Sequence, residues 1–267
     1  MKILVCVKQV PNTNQIKIDA EKGTIVRYPE EATLNLLDGF TMELAARMKD
    51  KNPDTEIVLL SMGPESAVKA LKDCLAVGGD RAYLLCDEVL RGADTFATTR
   101  ALAAAIRRIE QTEGTFDLVF CSKNATDGDS AQVGPQLAEQ LDFAQVTYVT
   151  EADLEAEGTL LVQRQTEDGY EKLRVTLPAV LAVTKTPYEP RFPTVKSKLA
   201  ATRAKIPVLT AADVGLEPAQ CGAAGSKTQV LEMKIPEKKA TCFIVKEETT
   251  EDSARKLFEL LNGAHVF

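Results

Sequence analysis

Over the first roughly 145 residues, short apolar runs alternate with longer stretches of helical spacing, the signature of βαβ units around a parallel sheet. Candidate strands are Ile3–Val7, Glu56–Ser61, Ala82–Leu85 and Leu118–Cys121. Between the first two, Leu37, Phe40, Leu44 and Met48 recur at helical steps and predict one apolar helix face. Asn35 and Asp38 stand at its start as a cap and a first-turn acid. Further helices are expected over Ser66–Val77 and Asp94–Glu110, the latter turning Phe96, Ala103 and Ile106 inward.

After Thr147 the texture changes. Thr159–Gln165 and Lys172–Thr176 read as a hairpin turning on Asp168-Gly169, and Leu177–Val183 supplies another apolar run. From Pro187 onward, prolines and basic residues replace periodicity. Residues 211 to 250 carry little core-forming pattern and are expected to form an arm lying on another surface. A helix over Thr250–Leu261 closes the chain. The expected class is α/β: an open, mostly parallel sheet with flanking helices, an added hairpin and an extended C-terminal arm. A domain over 1–210 is followed by arm and helix over 211–267.

Composition narrows the chemistry. Hydrophobic residues make up 45% of 267, enough for a sizeable core. A net charge of −7 argues against a nucleic-acid binder, which needs a basic face. No apolar run approaches the ~20 residues of a membrane span. The opening MKILVCVKQV is a strand pattern rather than a signal peptide, so a cytoplasmic protein is expected. The six cysteines form no C-x-x-C pair and read as small reduced hydrophobes. The only histidine is His265, which leaves no basis for a histidine triad or metal site, so no catalytic side chain and no metal is expected. Any redox chemistry must come from a bound cofactor.

In open parallel sheets, ligands bind outside the carboxyl ends of the strands. Three segments fall there: Cys6-Val7-Lys8, Met62-Gly63 before Pro64, and the run Ser122, Lys123, Asn124, Ala125, Thr126, Asp127, Gly128, Asp129, Ser130, Ala131, Gln132, Val133. Pro135 is tolerated only in a helix's first turn, which sets a helix start near 131–134. Free amides and a positive helix end there suit a diphosphate, and Gly128, Ser130, Ala131 and Gly134 permit close approach. An ordinary acidic turn with a helix cap fits the same residues. Neither G-x-G-x-x-G nor a P-loop lysine motif is present.

DGDSAQVGPQLAEQL resembles the nucleotide-binding signature of electron-transfer flavoprotein β subunits. ILVCVKQVPNT, LNLLDGFTMELAARMK, LSMGPESAVKALKDCLAVGGDRA, VQRQTEDGYEKLRVTLPAVLAVT and AGSKTQV follow in the family's order, so the resemblance covers nearly the whole chain. It implies a Rossmann-like sheet, an α-subunit partner in a heterodimer, and an acyl-CoA or related dehydrogenase as electron-exchange partner. It further implies AMP in ordinary members, held by Cys6, the segment from Asn35 with Asp38, Met62 and the loop Ser122–Val133. Electron-bifurcating members place a second FAD there, reduced by NADH, with ferredoxin or flavodoxin as low-potential acceptor. GADTFATTRALAAAI, from Gly92, is similar to a segment of that second type, with Asp94 as helix cap and Thr95 facing the flavin.

The sequence departs from the bifurcating pattern at Lys123 and Asn124, where arginine and glutamine are usual; lysine keeps the charge without the bidentate fork. Pro193–Lys205 resembles the family's recognition loop, with Val195 as apolar anchor amid Lys196, Lys198, Arg203 and Lys205. The implied role is an electron carrier. A non-redox nucleotide module of the universal-stress kind has a similar sheet but lacks the hairpin and arm after residue 147. An adaptor with a vestigial pocket is a further alternative, and the absorbance spectrum of the purified complex separates them.

Overall fold

A computed structural model of the chain describes residues 1–12, 32–155, 158–231 and 242–266, with the backbone of 18–19 and 24–25. In chain order its elements are β1 (Lys2–Cys6), β2 (Gln9–Pro11), β3 (Ile18–Asp19), β4 (Thr24–Ile25), β5 (Ala32–Leu34), α1 (Leu36–Lys51), β6 (Glu56–Met62), α2 (Val68–Ala76), β7 (Arg81–Leu85) and α3 (Thr95–Glu113). There follow β8 (Leu118–Ser122), α4 (Val133–Leu141), β9 (Ala144–Leu154), β10 (Thr159–Gln165), β11 (Tyr170–Thr176), β12 (Ala179–Val183), α5 (Val195–Arg203), β13 (Val208–Leu209), α6 (Gly222–Gly225) and α7 (Thr250–Gly263). Among the described residues, no helix is long and apolar enough to cross a membrane.

Nine strands form one sheet in the order β11-β10-β9-β12-β8-β1-β6-β7-β13. All neighbours pair in parallel except β10, which runs antiparallel to both β9 and β11. The expected α/β sheet and its added hairpin are thus present. Both faces are covered, which is why the strands read as continuous apolar runs. Ile3, Val5, Ile57, Leu59 and Phe120 meet Met42, Leu44, Met48 and Leu71 of α1 and α2 on one side. On the other, Leu4, Val58, Leu60 and Val119 meet Leu102, Ala105, Ile106 and Leu137 of α3 and α4. Each of the larger side chains among them, removed from water, contributes ~1.5–3 kcal/mol.

Besides short strands and turns, β9 and α5 depart from the sequence reading. The eleven-residue β9 lies where no strand was expected, because it is partly exposed and its alternation is broken midway. The Pro187–Lys205 stretch is not structureless, since Thr194 accepts from the Ser197 amide and starts α5. The run before it is fastened to α1 by a half-buried ion pair: Arg191 donates to the buried Glu43 from Nε at 2.7 Å and from its backbone amide at 3.1 Å. Asp50 takes the other side of the guanidinium at 2.8 Å, and Arg47 stacks on Tyr188.

The chain divides into two compact units, Met1–Leu231 and Glu232–Phe267. The domain boundary expected near 210 therefore falls short of the first unit's end. Residues 211–228 join the body through backbone contacts, which leave no apolar period to read. The Ala211 amide donates to Asp87, Cys221 is buried, and the Ala223 amide donates to the Arg91 carbonyl. Gly222, at φ +51°, sits so close to the Val89 and Arg91 carbonyls that a β-carbon would lie 2.3 and 2.5 Å from them. In the second unit α7 has its cap at Thr249 and carries Leu257, Phe258 and Leu260 exposed. Residues 232–241 of the expected arm lie outside the described residues.

Candidate functional site

The sheet reverses its build order at β1: the chain adds β6 and β7 on one side, then returns to place β8 on the other. The crevice at the carboxyl ends of β1 and β8 is therefore the topological switch point, where open α/β sheets bind ligands. Cys6–Lys8 leave one strand there and Ser122–Lys123 the other.

Asn35 knots these segments together. It occupies the N-cap position of α1 but makes no side-chain cap. Instead its Nδ2 donates to Asp38 Oδ1 (2.9 Å), Ser122 Oγ (3.1 Å) and the Asn124 carbonyl (3.1 Å), while Oδ1 accepts from the Thr126 amide. The expected cap is thus redirected across the crevice. Asp38 accepts the Lys8 amide at 2.6 Å. Burial lifts its carboxyl to about 6, against hydrogen bonds from Ser122, Asn35 and the Lys8 amide that pull the other way. Lys8 Nζ reaches Asp127 at 2.7 Å. Asn35 and Asp38 are each only 1% exposed, so both shape the crevice from beneath.

The loop 123–132 follows. The Gly128 and Asp129 amides donate to the Ala125 carbonyl, and Asn124 donates to Asp129. Asp129 and Ala131 adopt left-handed φ of 45° and 53°. Gly128, Asp129 and Ser130 are exposed. α4 starts at Val133 with Pro135 in its first turn, as the sequence predicted, and Gln132 gives it no side-chain cap. The amides from Ser130 to Gly134 meet no acceptor among the described residues. This leaves a bare positive helix end beside the crevice.

The Gly92–Thr95 segment arrives from β7. Although β1 and β6 separate β7 from β8, α3 and α4 pack side by side. Thr95 Oγ1 donates to Gln132 Oε1 at 2.8 Å, and Gln136 Nε2 donates to Thr95 at 3.2 Å. Asp94 caps α3 by accepting the Ala97 amide. Its other oxygen takes the Lys227 and Thr228 amides and the Thr228 hydroxyl. Burial alone would raise this carboxyl, but the Ala97, Thr228 and Lys227 amides carry it down to about 2. Both Asp94 oxygens are therefore committed to the protein.

Met62 ends β6, one strand outward from β1, and Gly63 follows it with its amide on the Leu85 carbonyl. Cys6 lies beside Cys121, one step beyond the Val5–Phe120 pairing. The hydrogen bond with Cys121, then burial, push the Cys6 thiol well above its usual range, so it stays protonated. Among the described residues no cluster of His, Cys, Asp or Glu could hold a metal.

The structure thus joins Lys8, Asn35, Asp38, the 122–133 loop and Thr95 in one hydrogen-bonded neighbourhood. Val195, Lys196 and Lys198 stand apart on α5, which packs against α2 with the Lys72 ammonium on the Thr202 carbonyl. A cavity of about 260 Å³ lies there too, lined by Met42, Ala76 and Ala201 together with the charged Asp73, Arg191 and Lys198. Sequence reasoning missed Gln136 and Tyr148. Gln136 follows Gln132 by one helical turn, a spacing that could have found it. Tyr148 had no signal, because its strand was not recognised.

A family model described as electron transfer flavoprotein domain matches residues 22–214. The chain is 40% identical over 266 residues to "Caffeyl-CoA reductase-Etf complex subunit CarD" of Acetobacterium woodii, covering 100% of both chains. It is 42% identical over 257 residues to "Electron transfer flavoprotein subunit beta" of Megasphaera elsdenii, covering 95% of this chain and 94% of that one. A third relative, with the same subunit name in Thermoanaerobacterium thermosaccharolyticum, is 40% identical over 267 residues and 100% of both. With matches that run end to end along the sheet and crevice just described, the chain belongs to the electron-transfer flavoprotein family, among its β subunits.

Proposed function

We propose that this chain is the β subunit of a heterodimeric electron-transfer flavoprotein of the bifurcating kind, with FAD in the switch-point crevice. The observation that carries the reading is the meeting of two loops, 92–95 and 122–133, through Thr95, Gln132 and Gln136. A compact nucleotide needs only the second loop; an isoalloxazine has a use for both. The residues present fit the group. The bare start of α4 offers amides to a diphosphate, the exposed Gly128–Ser130 stretch permits close approach, and Lys123 makes no ion pair with any described residue.

When bound, the flavin supplies hydride acceptance from NADH and one-electron transfer to the partner subunit's FAD. This chain's residues bind and orient. The 130–134 amides would hold phosphate, Thr95 and Gln132 would face the ring, and Asn35 with Asp38 would hold the loop in shape. Electrons pass on to an acyl-CoA-type dehydrogenase, with ferredoxin or flavodoxin as the low-potential acceptor. The C-terminal helix α7 would pack on the α subunit, where exposed Leu257 and Leu260 gain cover.

One observation favours AMP in the same crevice: the Asp94 carboxylate is spent on Ala97, Lys227 and Thr228, which leaves Thr95 as the loop's one polar side chain toward a ring. The test is denaturing release from the purified heterodimer. The expected result is about two flavins per heterodimer, bleached by NADH, and loss of about one in Asp129→Arg, which crowds the loop. Release of one flavin together with AMP would establish the AMP form.

Docking is assigned to α5, where Val195 is 79% exposed beside Lys196 and Lys198. Val195→Asp is expected to slow reduction of the dehydrogenase by about tenfold or more with the flavin spectrum unchanged, since an apolar anchor becomes a desolvated charge. Stopped-flow reduction of the partner checks this, and unaltered kinetics would refute the assignment.

A further inference from the structure

Tyr148 is held in a conformation that its side chain does not favour. Its φ is +58°, in the left-handed region that suits glycine or asparagine and is unusual for a bulky aromatic residue. The cause is a bulge in β9. On the β12 side the register passes from Ala182–Thr147 directly to Val183–Val149, skipping Tyr148. On the β10 side it shifts between Gln163 and Arg164. The extra residue keeps Val146 and Val149 both in the core while Tyr148 turns out of it. The residue is 39% exposed, so core burial does not account for the strain.

What the ring meets is Lys123. The ammonium lies 4.8 Å from the ring centroid, a cation–π distance. Lys123 is itself anchored, its amide donating to the Val183 carbonyl at 2.6 Å, and the Thr184 amide donates to Val149 next to the bulge. Three strands thus converge: Lys123, just past the end of β8, presents the cation, Tyr148 in the middle of β9 the aromatic face, and the end of β12 ties them. They do so at the carboxyl edge, beside the bare start of α4. Bulges and strained residues gather where a side chain must be re-aimed for a ligand.

We propose that Tyr148 is a positioning residue, holding Lys123 against a phosphate of the nucleotide bound in the crevice. This rests on the nucleotide-binding reading above but holds for FAD and AMP alike, since both carry that phosphate. The ring occupies one side of the ammonium and leaves its remaining N–H donors for the anion.

The test uses the heterodimer freed of its dissociable nucleotide and titrated with FAD, with AMP and with phosphate-free adenosine. Tyr148→Gly, which accepts the positive φ, is expected to leave the melting temperature of the nucleotide-free protein unchanged or higher, yet to weaken FAD or AMP binding about tenfold. Tyr148→Phe retains the ring face and is expected to bind as the parent does. Lys123→Gln is expected to lose the same factor, and the double variant Lys123→Gln/Tyr148→Gly no more than either alone. For adenosine the factor should vanish. A residue serving only the fold would lower the melting temperature and affect adenosine equally, which overturns the proposal, as would full additivity in the double variant. If the parent binds neither FAD nor AMP, the nucleotide-binding reading fails and takes this inference with it. If the parent binds and Tyr148→Gly binds equally well, this inference alone fails.

Discussion

Gly134→Val is expected to cost the fold about 2 kcal/mol and to weaken nucleotide binding about tenfold. A β-carbon on Gly134 would stand 2.9 Å from the Ala182 β-carbon and 3.9 Å from that of Cys121. Ala182 cannot yield by rotating, because its β-carbon is fixed to β12, which is paired on both sides. The helix must move instead. Since Gly134 lies in the first turn of α4, the displaced part is the end that presents free amides to the crevice. Stability and affinity therefore fall together, whereas Gly128→Ala, with nothing within 4 Å of the added carbon, should leave the fold's stability intact. Urea unfolding and nucleotide titration of both variants check the pair of outcomes.

Replacing Asp38 with asparagine is expected to change the pH dependence of stability. The folded carboxyl titrates at about 6 rather than 3.8, chiefly because burial disfavours its charge. Between those values the folded chain holds a proton that the unfolded chain has released. Stability from this group is therefore present at low pH and lost as pH rises through 6. Lowering the pH from 7 to 4.5 should shift the stability difference in favour of the parent by about 2 kcal/mol, because the asparagine variant does not titrate there. Urea midpoints of both proteins across that range give the answer. A constant difference would mean that Asp38 titrates normally.

The parallel core was legible because its strands are buried on both faces. Ile3, Leu4 and Val5 or Ile57 to Leu60 leave no polar residue to interrupt the run. The start of α4 was legible from the single constraint on Pro135, and Asp94 from its place before a helical pattern. What escaped was set by long-range contacts. Asn35 reads as a local cap, yet its amide is spent on Ser122 and Asn124, 87 and 89 residues away. Asp94 reads as a cap and is one, but its second oxygen is claimed by Lys227 and Thr228 from the far end of the body. Tyr148 sits in Val146–Thr150, where two apolar residues in succession break the alternation without saying which residue the pairing skips. No local pattern encodes such pairings.

The hairpin that closes one side of the sheet also bears on how the molecule avoids sticking to copies of itself. An outermost strand offers unpaired amides and carbonyls to any extended chain that drifts past. Here that strand is β11, and its surface is Tyr170, Glu171, Lys172, Arg174 and Thr176, three charges among five exposed residues, with Arg174 paired at 2.8 Å to Glu155 across the hairpin. At the opposite margin β13 is two residues long, too short a template for strand addition. Neither margin welcomes an incoming β-strand. Association by extending the sheet is discouraged at both ends, and binding partners are left to the helical and C-terminal surfaces.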